Sequence, residues 1–212
     1  MESRGKNTMT NLTEHWDQIF QNKSGSELGW FEAGFEQTLK FIRQIDLKND
    51  DTVFVPGAGT SQLVDELHSS GFNLILNDLS AEAIRQTKKR LPDLSKVQSF
   101  AADISKPMTT EYPVDLWLDR AVLHFLLEDK QIQGYFDNVK KCVKPGGHVL
   151  LAEFAKGGAE KCAGLDLKQY DITEMQNRLG PEFHLVAQEK YTFINPFNQE
   201  RPYIYGLFKR NT

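Results

Sequence analysis

At 212 residues the chain is long enough to bury one full hydrophobic core. Its net charge of −4 and pI near 5.8 exclude general affinity for nucleic acid, and its two cysteines, Cys142 and Cys162, exclude a disulfide framework. No apolar stretch approaches the ~20 residues that a bilayer span requires, and the polar start, with Glu2, Asn7 and Asn11, has no leader-like apolar segment. The first ten or so residues are expected to fray, and the expected setting is the cytoplasm.

Leu12, Trp16, Ile19 and Phe20 recur at helical spacing between Asn11 and Gln21, and the polar run 22–26 breaks that helix. Phe35, Leu39, Phe41, Ile42 and Ile45 make a second helical stripe that closes at 46–51. An alternation follows: strand 52–56, helix 62–70, strand 73–77, then helix 81–91 capped by Ser80. Its basic run Lys88-Lys89-Arg90 lies late in the helix, where cations suit the dipole and solvent. A shorter strand over 97–101 leads to a turn at Lys106-Pro107, then strand 115–118, helix 129–142, a turn at Lys144-Pro-Gly-Gly147 and strand 148–154.

This βαβα succession with apolar strands predicts a doubly wound α/β, Rossmann-like sheet, mostly parallel and covered on both faces. The end differs. Residues 183–193 and 202–209 are β-rich runs joined by a short polar turn with no room for a crossover helix, so they predict an antiparallel C-terminal hairpin. The expected organisation is a single domain over 1–212, with an N-terminal helical lid over 1–50 and the core over 51–212.

The chemistry concentrates at the strand ends. Val53-Phe-Val-Pro-Gly-Ala-Gly-Thr-Ser61 runs from strand to glycine turn to helix, and Gly57 and Gly59 let backbone approach a ligand closely. Asp78 ends the next apolar run, where an open α/β sheet binds ligands and a carboxylate can hold a ribose diol. Its alternative use, capping the next helix, is already served by Ser80. Gln62 stands where a dinucleotide fold wants its third glycine, which disfavours NAD and suits a nucleoside without a pyrophosphate. Asp103 can accept from an adenine amine with Ile104 against the ring, or it can serve the local turn.

Asp119 and Arg120 follow the fourth strand. Asp119 can sit beside a positive sulfur. Arg120 can fix Asp119, brace the strand end with it, or hold an anionic substrate. His124 is either a core histidine or the best candidate base, since its pKa lies near neutrality. Trp16, Trp30 and Phe31 either wall the site or pack the lid, and Cys162 either faces the cavity or is a buried inert thiol. No cluster has metal-ligand spacing: His15 with Asp17, or Cys142 with His148, would leave a metal undercoordinated. A Gly-x-Ser-x-Gly elbow is absent.

Together these residues resemble the class I S-adenosylmethionine-dependent methyltransferases over nearly the whole chain. Val53–Ser61 is similar to that family's first motif, Asp78 to its ribose-binding acid, Ala102-Asp-Ile104 to its adenine motif, 116–124 to its fourth-strand motif, and Val143-Lys-Pro-Gly-Gly-His-Val149 to the turn before its fifth strand. The terminal hairpin is similar to its reversed seventh strand. Trp117-Leu-Asp-Arg-Ala-Val-Leu-His-Phe125 together with Cys162-Ala-Gly-Leu165 resembles a small bacterial-type subgroup. The Pro-Gly-x-Gly form of the first motif has some likeness to thiopurine and thiol methyltransferases, and the Asp-Arg step to some lysine methyltransferases. Many members carry an acid two residues before the first motif glycine to hold the methionine amine. Val55 stands there, and Asp119 is expected to take the role.

The resemblance implies S-adenosylmethionine as cofactor, contacted by Gly57, Ala58, Gly59, Asp78, Leu79, Asp103, Ile104 and Asp119. Asp119 and His124 are the expected catalytic residues, Arg120, Trp30 and Cys162 the expected substrate contacts, and no metal is expected. The expected reaction is in-line methyl transfer to a small-molecule acceptor, without nucleic-acid or membrane partners. A protein-lysine methyltransferase and a non-catalytic cofactor-binding protein remain as alternatives.

Overall fold

The computed structural model describes residues 3–108 and 113–212. Helix α1 (Ser3–Asn22) begins at the third residue, where the sequence led us to expect about ten frayed residues, and residues 1–2 lie outside the described chain. A single 3-10 turn (Gly25–Glu27) and an irregular run lead to α2 (Glu36–Ile42), which buries Phe41 and Ile42. Four parallel units follow: β1 (Thr52–Val55) with α3 (Leu63–Ser69), β2 (Asn73–Asp78) with α4 (Ala81–Arg90), β3 (Val97–Ala101), and β4 (Val114–Arg120) with α5 (Asp129–Cys142). Strand β5 (Val143–Phe154) absorbs the Lys-Pro-Gly-Gly turn as a bulge: Val114 pairs with Val143, and Leu116 next pairs with His148.

A two-stranded ribbon of β6 (Lys161–Cys162) and β7 (Leu165–Asp166) and helix α6 (Ile172–Leu179) precede the long hairpin of β8 (Phe183–Ile194) and β9 (Glu200–Arg210). The sheet order is β3-β2-β1-β4-β5-β9-β8, parallel through β5, with β9 antiparallel to both neighbours. The terminal runs thus pair as the sequence predicts. Strand β9 enters the sheet because its residues 203–208 are buried, whereas β8 alternates wet and dry and takes the edge.

Two cores sandwich the sheet. Val53, Leu74, Leu116 and Leu150 pack towards α2 and α3, while Phe54, Ile75, Trp117 and Val149 pack towards α5 and α6. Helix α2 is therefore a core helix, with Phe41 stacked on Tyr205 at 5.4 Å, while residues of α1 and of the run 24–35 line the cavity at the strand tips. Helix α6 and the ribbon lie outside the sequence expectation. The helix signal was present: Asp171 caps Glu174 N–H at 2.8 Å, Met175 and Leu179 are buried four residues apart, and Gly180 turns out at φ 79°.

Candidate active site

The glycine turn after β1 is shaped by contact as well as by conformation. Gly57 has φ +52°, and a Cβ there would stand 2.2 Å from Val122 Cγ2, so no other residue fits. The turn is tied to its neighbours on every side. Ala58 N–H donates to Asn77 O (2.9 Å), Thr87 Oγ1 donates to Gly59 O (2.7 Å), and Gly59 N–H donates to Asp78 Oδ2 (2.8 Å). Asp78 Oδ1 accepts from Ser80 N–H at 2.8 Å, and Ser80 Oγ in turn caps Ala83 N–H at 3.1 Å. Burial pushes the Asp78 carboxyl up to about 6, against the lowering effect of its Ser80 and Gly59 bonds. Two backbone donors use two of a carboxylate's roughly four lone-pair positions, which leaves acceptors for a diol.

Beyond β3, Asp103 serves the local turn by accepting Ser105 N–H at 2.9 Å, and it also lines the cavity beside buried Ile104. This loop is held by α5. Asn138 Nδ2 donates to Ile104 O (2.8 Å) and Lys106 O (2.7 Å), and its Oδ1 accepts Met108 N–H (3.1 Å). A Cβ on Gly134 would meet Ser105 O at 2.1 Å, so a glycine is needed for α5 to approach.

The pleat of β4 separates the Asp119-Arg120 pair. Asp119 is fully buried on the α5 face, where Tyr135 Oη donates to it at 2.5 Å and Val122 and Leu123 N–H donate at 3.1 and 3.2 Å. Trp117 Nε1–H donates to Tyr135 Oη at 2.9 Å. The structure thus places Asp119 outside the cavity wall, holding the turn that follows β4 rather than standing beside a sulfur. Arg120 points to the other face and meets Glu32 instead of Asp119, with Nη2 2.8 Å from Oε1. Its Nη1 donates to Trp30 O (3.3 Å), and its guanidinium lies 5.2 Å from the Phe193 ring centroid and 5.3 Å from that of Tyr203. The expected Asp119–Arg120 pairing is thus replaced by one with Glu32, which sequence reasoning did not single out and which burial lifts above its ordinary pKa.

His124 is also fully buried, with Nδ1 2.6 Å from Glu153 Oε2. Burial pushes His124 down to about 3 and Glu153 up to about 8. Both partners are thereby driven towards their neutral forms, and the contact is a proton shared across a hydrogen bond rather than an ion pair. Burial also raises Asp119, and Glu153 nearby adds to that rise.

The lid closes the site. Trp16 packs edge-on to Trp30 (5.6 Å) and Phe125 (5.1 Å), and stacks with Phe20 at 6.2 Å. It is anchored over α4, where Gln86 Nε2 donates to Phe20 O (2.7 Å) and Ser80 Oγ donates to Asp17. His15 Nε2 lies 3.1 Å from Ala163 O, joining α1 to the β6–β7 ribbon. The cavity beneath the lid measures about 480 Å³. Gly57, Ala58, Gly59, Asp78, Leu79, Asp103 and Ile104 line it, as do Trp30, Arg120, His124 and Cys162. Phe31 also lines it, and burial raises the Cys162 thiol. Glu32 and Phe125 are lining residues that sequence reasoning missed. Among the described residues no three His, Cys, Asp or Glu side chains are grouped to hold a metal, and no helix is long and apolar enough to cross a membrane.

The methyltransferase-domain family matches residues 56–149, from the glycine turn into β5. The eEF1A lysine and N-terminal methyltransferase of Mus musculus is 24% identical over 193 residues, covering 81% of this chain and 27% of that protein. Its Homo sapiens counterpart is 25% identical over 68% of this chain and 21% of its own length. The chain therefore spans about a quarter of the length of these curated relatives. Among solved structures, an S-adenosylmethionine-dependent methyltransferase from Anabaena variabilis superposes with TM-score 0.77 at 12% identity, covering 96% of this chain and 95% of that one. The N-methyltransferase NodS of Bradyrhizobium japonicum, in complex with S-adenosylhomocysteine, gives TM-score 0.72 at 16% identity over 95% and 100%. At such identities the superpositions speak for the fold. The chain thus carries a methyltransferase domain that opens on the glycine turn, and its sheet, closing on a reversed strand, has the class I S-adenosylmethionine-dependent methyltransferase fold.

Proposed function

We propose that the chain methylates a small molecule enclosed with the cofactor beneath the aromatic lid. The observation that carries this is the cavity of about 480 Å³ beneath Trp16, Phe20 and Trp30, with the Arg120–Glu32 pair beside it. Its size falls within the roughly 300–1,000 Å³ of small-molecule sites. In this reading Asp78, with Leu79 beside it, takes the ribose hydroxyls, the backbone of 57–59 supports the nucleoside, and Asp103 and Ile104 take the adenine. The cofactor supplies a methyl group made electrophilic by a positive sulfur. Arg120, Trp30, Cys162 and His124 then surround the acceptor, and Asp119 keeps His124 in place by holding the turn before it.

What the protein contributes is alignment and dryness. Fixing donor and acceptor in line replaces an entropic cost that would otherwise dominate the barrier, and the lid excludes water that would compete for the methyl group. A second reading, methylation of a protein lysine or N-terminus, is favoured by the names of the curated relatives. Incubation with isotopically labelled S-adenosylmethionine, once with a low-mass extract and once with denatured lysate protein, separates the two. Labelled low-mass products are expected. Label confined to protein would overturn the small-molecule reading in favour of the second.

A further inference from the structure

We propose that His124 and Glu153 form a proton-accepting pair in which Glu153 positions the imidazole, so that the acceptor is a nucleophile that must shed a proton, an amine or a hydroxyl. The inference rests on the reading of this cavity as the place where methyl transfer occurs. It assigns a role to Glu153, which stands alone as an acid in the apolar end of β5.

The geometry fixes the ring. Glu153 Oε2 meets both Nδ1 (2.6 Å) and the backbone N–H (3.2 Å) of His124, while Lys168 N–H donates to His124 O at 2.8 Å. Phe125 and Phe154 flank the imidazole, with centroids at 4.4 and 4.9 Å. His124 is among the residues that line the cavity, and its Nε2 is buried without a partner. Glu153 Oε1 and Tyr170 Oη are likewise buried and unpartnered, an expensive arrangement for a purely structural contact.

The charged and titratable groups around the pair come from every element packed on it. They are Asp119 and Arg120 on β4, Tyr135 on α5, Tyr203 on β9, and Lys168 and Tyr170 ahead of α6. Asp119 favours the protonated imidazole and Arg120 opposes it. Burial outweighs both and favours a neutral imidazole beside a neutral carboxyl. In that form Nε2 carries hydrogen. Removing one proton leaves a carboxylate bonded to Nδ1–H, with Nε2 bare. This second form is the base, and taking up a proton returns it to the form that burial prefers.

In the transfer, the acceptor lone pair forms the new bond to the methyl carbon, and the carbon–sulfur bond breaks with its electron pair kept by sulfur. The acceptor proton passes to Nε2, and the Nδ1 proton passes to Glu153 Oε2. A thiolate has no proton to lose and gains nothing from this pair.

The test uses the full chain with S-adenosylhomocysteine bound and its histidines labelled with nitrogen-15. On raising the pH from roughly 6 to 9.5, His124 Nε2 is expected to change from a protonated to a bare nitrogen, with a midpoint near 8. In Glu153→Gln the amide oxygen accepts both the backbone N–H and the Nδ1–H of His124, which leaves Nε2 bare and without a titration across that range. Methylation of aniline, uncharged throughout, is expected to rise with pH through the same midpoint. Glu153→Gln removes that rise and lowers the ratio of aniline to thiophenol turnover by at least ~10-fold. A wild-type Nε2 that stays protonated throughout, or equal losses for aniline and thiophenol in the variant, overturns the proposal. If neither probe is methylated, the nitrogen titration still decides the pair, and the labelled low-mass extract decides the small-molecule reading. That titration needs no variant, so a poorly folding Glu153→Gln does not spare the proposal.

Discussion

Replacing Asp78 with asparagine separates binding from stability. Both carboxylate oxygens already accept backbone N–H groups at 2.8 Å, and burial lifts the carboxyl from 3.8 to about 6. That displacement corresponds to roughly 3 kcal/mol against the ionised form at neutral pH. The folded chain holds the proton more tightly than the unfolded one. Stability from this group is therefore fully present below the ordinary value and lost as pH rises through about 6. Asparagine removes that loss, but it turns one amide hydrogen towards a backbone N–H, at a cost of about 1–3 kcal/mol. The two effects nearly cancel, so the midpoint of unfolding at neutral pH should move little. Binding should move a great deal. Two ribose hydroxyls donating to a carboxylate are worth roughly 1.5–3 kcal/mol each, and losing the charge should weaken S-adenosylhomocysteine about 100-fold or more. Thermal unfolding at neutral pH reads the first quantity, and calorimetric titration with S-adenosylhomocysteine from pH 5 to 8 reads the second. Wild-type affinity should tighten as pH rises through about 6 and then level, while Asp78→Asn should be weak and flat. A variant within about threefold of wild type, or a wild-type Kd without this slope, would refute the ribose assignment.

Gly57→Ala combines a left-handed backbone at φ +52° with a Cβ 2.2 Å from Val122 Cγ2, and urea unfolding should show a loss of about 2–5 kcal/mol. Arg120→Ala leaves Glu32 buried without its cation and should cost about 3–5 kcal/mol. Arg120→Leu combined with Glu32→Leu should cost less than the sum of the two single changes, and strict additivity in that cycle would show that the 2.8 Å contact does not latch the lid. Tyr135→Phe strips a donor from Asp119 and an acceptor from Trp117 Nε1–H, and denaturant titration should register a loss of roughly 2–4 kcal/mol.

The part of the site built from backbone was legible in the chain. Glycines at 57 and 59, an acid closing β2 and another after β3 sit at the carboxyl ends of apolar runs, and parallel strands bring such ends together whatever the side chains do. Helices α4 and α5 were legible for a similar reason, since each is long and bounded by its own signals: the Ser80 cap and basic last turn of one, and the Glu128–Gln131 capping box of the other. Helix α6 spans only Ile172–Leu179, too short for its periodicity to stand out despite its cap.

The part built from side chains was hidden by the same burial that made the strands easy to see. A strand with one wet face declares which residues look inward, but β4 is buried on both, and Leu116, Trp117 and Leu118 read alike. Nothing in the run shows whether Asp119 or Arg120 meets the cavity. The answer lies in the pleat, which hands Arg120 to the lid and Asp119 to α5. The partners of both residues are remote in sequence, Glu32 before the sheet begins and Tyr135 after it has turned. Glu153 is the exception that pattern reading could have caught. An acid inside the apolar run Leu150-Leu-Ala-Glu-Phe154 must be protonated, paired or both, and the buried residue able to meet it proved to be the histidine already suspected as a base.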